Sequence, residues 1–228
     1  NQNKVLSYYD DVEATFSNFA MSGIDKRHFG VEVAASIPLD AGFYLNGALS
    51  WGQYTYDSNP NYVQIQDNSG EIKNEGKVYW KNFRVESTPQ KAMNIGLSYR
   101  GPKNIYASLD LNYYSNMYIS MSPLYRTDAV LTPGMTKEDV AELRSQEKFN
   151  SAYVVNASIG KNWFIKRQYT LGFSLEMKNL LQDIKTGGYE QVRLLKNKDT
   201  SYQTYQPFDS KYFYMFGSTY YLNLYFRF

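Results

Sequence analysis

Between Ile105 and Tyr114 apolar and polar side chains alternate with period two: Ile105, Ala107, Leu109, Leu111 and Tyr113 stand against Tyr106, Ser108, Asp110, Asn112 and Tyr114. Successive side chains of an extended backbone point to opposite faces, so this pattern predicts a strand with one apolar and one polar face. Phe29–Ile37, Phe43–Trp51, Met93–Arg100, Tyr153–Trp163, Tyr169–Lys178 and Tyr220–Phe228 repeat it. Together they predict about seven strands, each near the roughly 9 to 11 residues that cross a bilayer at a tilt. A weaker alternation between Val12 and Met21 offers only a poor eighth.

The connections are as informative. Pro38–Gly42, Gly101–Lys103 and Phe164–Gln168 are short and, with Gly, Pro and Asp among them, read as hairpin turns. Asp57–Gln90, Asn116–Asn150 and Leu181–Phe213 are long. Short and long alternate, so every long loop leaves the same rim, and loops of this length are commonly functional. Within them, Tyr79–Glu86 reads as a strand extended beyond the sheet. Thr136 reads as the N-cap of a short helix with acids in its first turn. Asp67–Glu71 reads as a tight turn, because the later glutamate of a calcium loop is missing.

Two architectures accept such strands: a soluble sandwich with its apolar faces turned inward, or a membrane barrel with them turned out to lipid. The polar sets decide for the barrel. Glu32, Arg100, Asp110, Glu176, Lys178 and Arg227 interleave with Gly, Ser and Asn, as expected of a wide hydrated lumen. Trp51, Tyr99, Tyr113, Tyr153, Trp163, Tyr169, Tyr220 and Phe228 fall near strand ends, where aromatic girdles form. The expected fold is therefore all-β, an antiparallel transmembrane β-barrel. Bacterial barrels have even strand numbers, so seven strands point to the C-terminal part of a larger one.

Composition agrees. Aromatics reach 17% with 23 Tyr and 13 Phe, while mean hydropathy is only -0.54, a balance that favours pleated, half-buried surfaces. No apolar run approaches the length of a membrane-spanning helix. A net charge of +2 makes no electrostatic case for nucleic acid. The absence of cysteine excludes disulfides and thiolate metal sites. The first residues carry no signal-peptide pattern, so the chain is expected to be a mature protein or a piece of a longer one.

Catalytic chemistry finds little support. His28 is the single histidine and reads as an exposed rim residue. Asp10 with Asp11, and Glu138 with Asp139, read as solvated acids and a helix first turn. Thr186–Glu190 has two glycines without the strand-to-helix setting of a phosphate loop. No enzyme activity, metal or cofactor is expected.

With "GIDKRHFGVEVAASIPL" at Gly23–Leu39, "STPQKAMNIGLSYR" at Ser87–Arg100, "NLLQDIKTGGYEQVR" at Asn179–Arg193 and "FGSTYYLNLYFRF" at Phe216–Phe228, nearly the whole chain resembles the C-terminal barrel of TonB-dependent outer-membrane receptors, SusC-like and related nutrient receptors. That resemblance implies a 22-stranded barrel around an N-terminal plug, in which residues 1–228 are one C-terminal segment of the barrel domain and the plug lies outside them. It implies residence in the bacterial outer membrane and high-affinity uptake of a glycan, peptide or metal chelate. Energy would come from the TonB complex through the plug, and a surface lipoprotein is a further partner it allows. Ligand contacts would come from rings of the long loops: Tyr79, Trp80, Phe83, Tyr118, Tyr125, Tyr202, Tyr205 and Phe208. Leu222, Leu224, Phe226 and Phe228 look like the terminal signal read by the barrel-assembly machinery; they also suit a face turned to outer-membrane lipid. A small autonomous barrel, acting as adhesin or passive pore, and a soluble β-sandwich carbohydrate-binding module are the alternatives.

Overall fold

A computed structural model of the chain describes residues 2–10, 14–131, 134–166, 168–181, 184–191 and 208–228. The described residues form antiparallel sheets and one helix. In chain order the strands are β1 (Gln2–Asp10), β2 (Thr15–Ile24), β3 (Lys26–Pro38), β4 (Phe43–Tyr56), β5 (Asn61–Gln66), β6 (Ile72–Lys77), β7 (Lys91–Arg100), β8 (Ile105–Ser115), β9 (Ala152–Ile165), β10 (Tyr169–Lys178), β11 (Lys185–Tyr189), β12 (Lys211–Tyr214) and β13 (Thr219–Arg227), with α1 (Lys137–Arg144) between β8 and β9.

The seven alternating segments become one seven-stranded sheet, ordered β3-β4-β7-β8-β9-β10-β13. Neighbours in the sheet follow one another along the chain, so this is a meander whose long excursions all leave one end. At the other end are three tight turns, two of them 310 turns at Asp40–Gly42 and Pro102–Asn104. Gly42 is needed in the first: its φ is +84°, and a Cβ there would run into the backbone carbonyl of Arg100. The sheet does not close on itself. Among the described residues no strand pairs with the outer edge of β3 or of β13.

Register carries the apolar positions across the whole sheet. Val33 faces Leu49, Leu49 faces Met93, Met93 faces Tyr113, and Tyr113 faces Tyr153. Ile159 faces Leu175, which faces Leu222. The resulting face is apolar and uncovered: Val33 is 62% exposed, Leu109 53% and Leu224 70%. Rings gather along its two ends, with Tyr113 against Tyr153 at the long-loop end and Phe43 against Tyr99 and Tyr169 against Phe226 at the short-turn end.

The opposite face binds itself with polar contacts. Ser36 donates to Asn46, Asn46 to Ser98, Asn94 to Asn112, and Ser108 meets Ser158. Tyr106 lies over Gly160 and Tyr225 over Gly172, each ring occupying the space a cross-strand side chain would need. A hollow of about 360 Å³ opens among Glu32, Ser50, Asn94, Asn112 and Tyr114.

The hydrophobic core sits above the sheet, in a cap built from the long loops and from a four-stranded sheet ordered β1-β2-β5-β6. One extra residue in β2 opposite β1, near Gly23 at φ +77°, makes a bulge that reverses the alternation. Met21 and Ile24 are consequently both buried. Tyr56, Ala152 and Val154 are core residues, and Tyr114 packs against the cluster that holds Ala152 and Val154. All four share the parity of the polar face. The cap therefore folds over the polar side and leaves the apolar face bare.

Local expectations fare unevenly. Thr136 caps α1 in a reciprocal box with Asp139, and Asp67–Gly70 turns between β5 and β6 as a tight hairpin. Tyr79–Glu86 does not extend a strand. It is irregular apart from a bridge between Arg84 and Thr55, because Val78 and Trp80 are drawn into the cap core. The weak alternation at Val12–Met21 marks β2, which joins the cap sheet and not the main one; Val12 itself lies outside the described residues.

Candidate functional site

The cap is held by a charged centre that alternation cannot reveal. The 310 turn Leu124–Arg126 carries the Arg126 side chain, fully buried, to Glu190 just after β11, and the two form a bidentate pair. Glu190 also accepts from the backbone N–H of Ser122 at 2.8 Å. Arg126 donates further to the carbonyls of Ser122 and Ser145 and lies over the Phe83 ring. One guanidinium thus joins three stretches distant in sequence, around Ser122, Ser145 and Glu190. A planar fork of donors suits this better than lysine, whose ammonium is a point charge.

A second cluster lies at the surface. Tyr79 donates to Asp128 at 2.6 Å, Arg144 pairs with Asp128 at 3.0 Å, and the Arg144 guanidinium stacks over Tyr79. The hydrogen bond to Asp128 pushes the Tyr79 phenol above its usual value. Tyr212 is raised likewise by its hydrogen bond to Glu147. Asp139 is held below the usual carboxylate range by the backbone N–H and hydroxyl of Thr136.

The ring candidates separate by burial. Trp80 and Tyr125 are 2% exposed and belong to the cap core, and Phe83 packs against it; these rings are taken up by packing. Tyr79 and Tyr118 are half-buried. Phe208 borders a cleft of about 450 Å³ with Tyr125, Leu143, Asp139, Glu142 and Ser210. Tyr202 and Tyr205 lie outside the described residues.

Of the polar candidates, Glu32 accepts from Ser50 at 3.2 Å, Asp110 lies beside Gly96, Arg100 is over the Tyr44 ring, and Lys178 pairs with Glu176 at 3.6 Å. Arg227 shares their face through its pairing with Thr170. Leu222, Leu224, Phe226 and Phe228 lie on the bare apolar face, with Phe228 93% exposed.

Sequence reading passed over Arg126, Asp128, Arg144 and the role of Glu190. Among the described residues no group of His, Asp and Glu is disposed to hold a metal, and no helix is long and apolar enough to cross a membrane. No family model, no curated protein and no solved structure matches the chain, so its function has to be read from its faces, edges and loops.

Proposed function

We propose that the chain is the C-terminal barrel segment of a TonB-dependent outer-membrane receptor that takes up a nutrient ligand. The observation that carries this reading is the bare apolar face, continuous over seven strands and edged by rings, while the core lies elsewhere. A soluble β-sandwich would bury that face against a second sheet. In a bilayer it meets lipid, and the polar face lines a hydrated lumen.

The two unpaired edges support a larger barrel, since backbone groups in lipid need partners. The cap supports a receptor over an adhesin or passive pore: its cores continue the polar face and cover the mouth of the lumen. Ligand would meet the outer rings of the cap and then the hollow below. The TonB complex would act through the plug, and the terminal strand would be read by the assembly machinery.

The test uses the absence of cysteine. Leu109→Cys and Asp110→Cys are adjacent on β8 but on opposite faces. In outer membranes a water-soluble maleimide should label Asp110→Cys at least about tenfold faster than Leu109→Cys, which lipid shields. Equal rates, or a protein that stays in the soluble fraction, would overturn the proposal. Entry of a small hydrophilic antibiotic in cells lacking TonB would point instead to a pore.

A further inference from the structure

Where β4, β7 and β8 reach the cap, a small pocket of about 160 Å³ is walled by Arg84, Gln90, Asn116, Tyr118, Trp51 and Gln53. Its polar groups are nearly all donors or amides, and no carboxylate lines it. The Arg84 guanidinium makes no hydrogen bond or ion pair with any described residue, whereas its backbone N–H and carbonyl are both held by Gln146. The backbone of Arg84 is fixed, and its side-chain charge is matched by no described residue.

Gln90 is the decisive residue. It is 4% exposed, and its Nε2 has no hydrogen-bond partner. The orientation of its amide is not arbitrary. Oε1 accepts from the backbone N–H of Tyr54 at 2.6 Å, and a backbone N–H can only donate, so the oxygen must be on that side and the NH2 on the other. The Gln90 carbonyl accepts from Gly52 at 2.8 Å and its N–H reaches Asn116, so the backbone is fixed as well. Among the described residues seven other buried side-chain atoms also lack a protein partner; what sets Gln90 apart is that its unanswered donor belongs to a residue lining a pocket beside an unmatched guanidinium.

We infer that Arg84, Gln90 and Asn116 form a binding site for a single anionic group of phosphate type. Arg84 supplies charge and a fork of donors, and the Gln90 amide a directed hydrogen bond. The half-exposed Trp51, paired with Lys91 on the apolar face, stands at the wall. The phosphate could therefore come from free phosphate or from a lipid headgroup at the rim of the sheet. The site stands on Arg84 and Gln90 whether or not the sheet lies in a membrane.

Gln90→Glu is the discriminating variant. A glutamate still accepts from Tyr54 and keeps the shape, but replaces the donor by a negative charge. Binding to the full chain in detergent is measured with inorganic phosphate, and separately with micelles containing phosphatidylglycerol against phosphatidylcholine. Saturable binding of either phosphate-bearing probe, weakened at least tenfold in both Gln90→Glu and Arg84→Gln, supports the site. Binding of phosphate alone identifies the free ion as the source, and binding of phosphatidylglycerol alone identifies the headgroup. No binding of either probe to the unaltered chain, or binding unchanged by both variants, overturns the inference. A variant that fails to fold leaves the unaltered chain's result to decide.

Discussion

Removing Glu190 tests whether one ion pair holds the cap together. Glu190→Ala leaves the Arg126 guanidinium, fully buried, without its counter-charge, and leaves the Ser122 N–H without its acceptor. Breaking one side of a buried pair costs about 3–5 kcal/mol. The Glu190 side chain keeps 13% exposure and some contact with water, so the lower end, about 3 kcal/mol, applies. At about 1.4 kcal/mol per factor of ten, that is roughly a 150-fold rise in local opening. Hydrogen-exchange mass spectrometry should find it in peptides covering residues 116–131, with β8 and β9 in the main sheet unchanged. Arg126→Met combined with Glu190→Leu removes both charges at similar bulk, and should recover protection to within about 1 kcal/mol, the part lost with the Ser122 hydrogen bond. If Glu190→Ala changes exchange in residues 116–131 by less than about threefold, a loss of roughly 0.7 kcal/mol, the pair does not hold the cap.

Two further outcomes are expected. In Gly160→Ala the new Cβ would meet the Tyr106 ring and lie 2.7 Å from the backbone carbonyl of Phe173, whereas at Gly47 the nearest neighbour, the Asn94 carbonyl, is 4.0 Å away; the first should destabilise by about 1–3 kcal/mol and the second by under about 0.5 kcal/mol in denaturant titrations of the folded protein. Asp139, held below its ordinary value of 3.8 by Thr136, supports α1 while charged: its contribution is present above that value and lost as pH falls through the lower folded one. The amide signals of residues 137–144 should therefore shift toward unfolded values on acidification, and Asp139→Asn should remove that step.

The main sheet was legible in the chain because alternation with period two is a local signal and each strand carries it over eight or more residues. Ile105–Tyr114 and Tyr169–Lys178 could be read without knowing their neighbours, and the strict sequence of short and long connections left a meander as the simplest order. The helix at Thr136 was legible for the same reason, since a cap box needs only four consecutive residues. What lay in the cap was not. β1, β5 and β6 lack clean alternation: Tyr8 of β1 and Tyr62 of β5 are placed by packing in one core with Trp80, Leu124 and Tyr125, and β6 is exposed throughout. Trp80 and Tyr125, read as ligand contacts, are core: a ring in a loop looks the same in sequence whether it meets ligand or another ring.

The sequence alone therefore determined the strands, their two faces and the rim from which the loops leave, because each follows from side-chain order along an extended backbone. Only the tertiary structure decided that the cap folds over the polar face, where Tyr56, Ala152 and Val154 join its cores. Only it brought Arg126 to Glu190, 64 residues apart, and left Gln90 with an unanswered donor beside Arg84. Contacts of that kind are set by where long loops cross, and period-two alternation carries no record of the crossing.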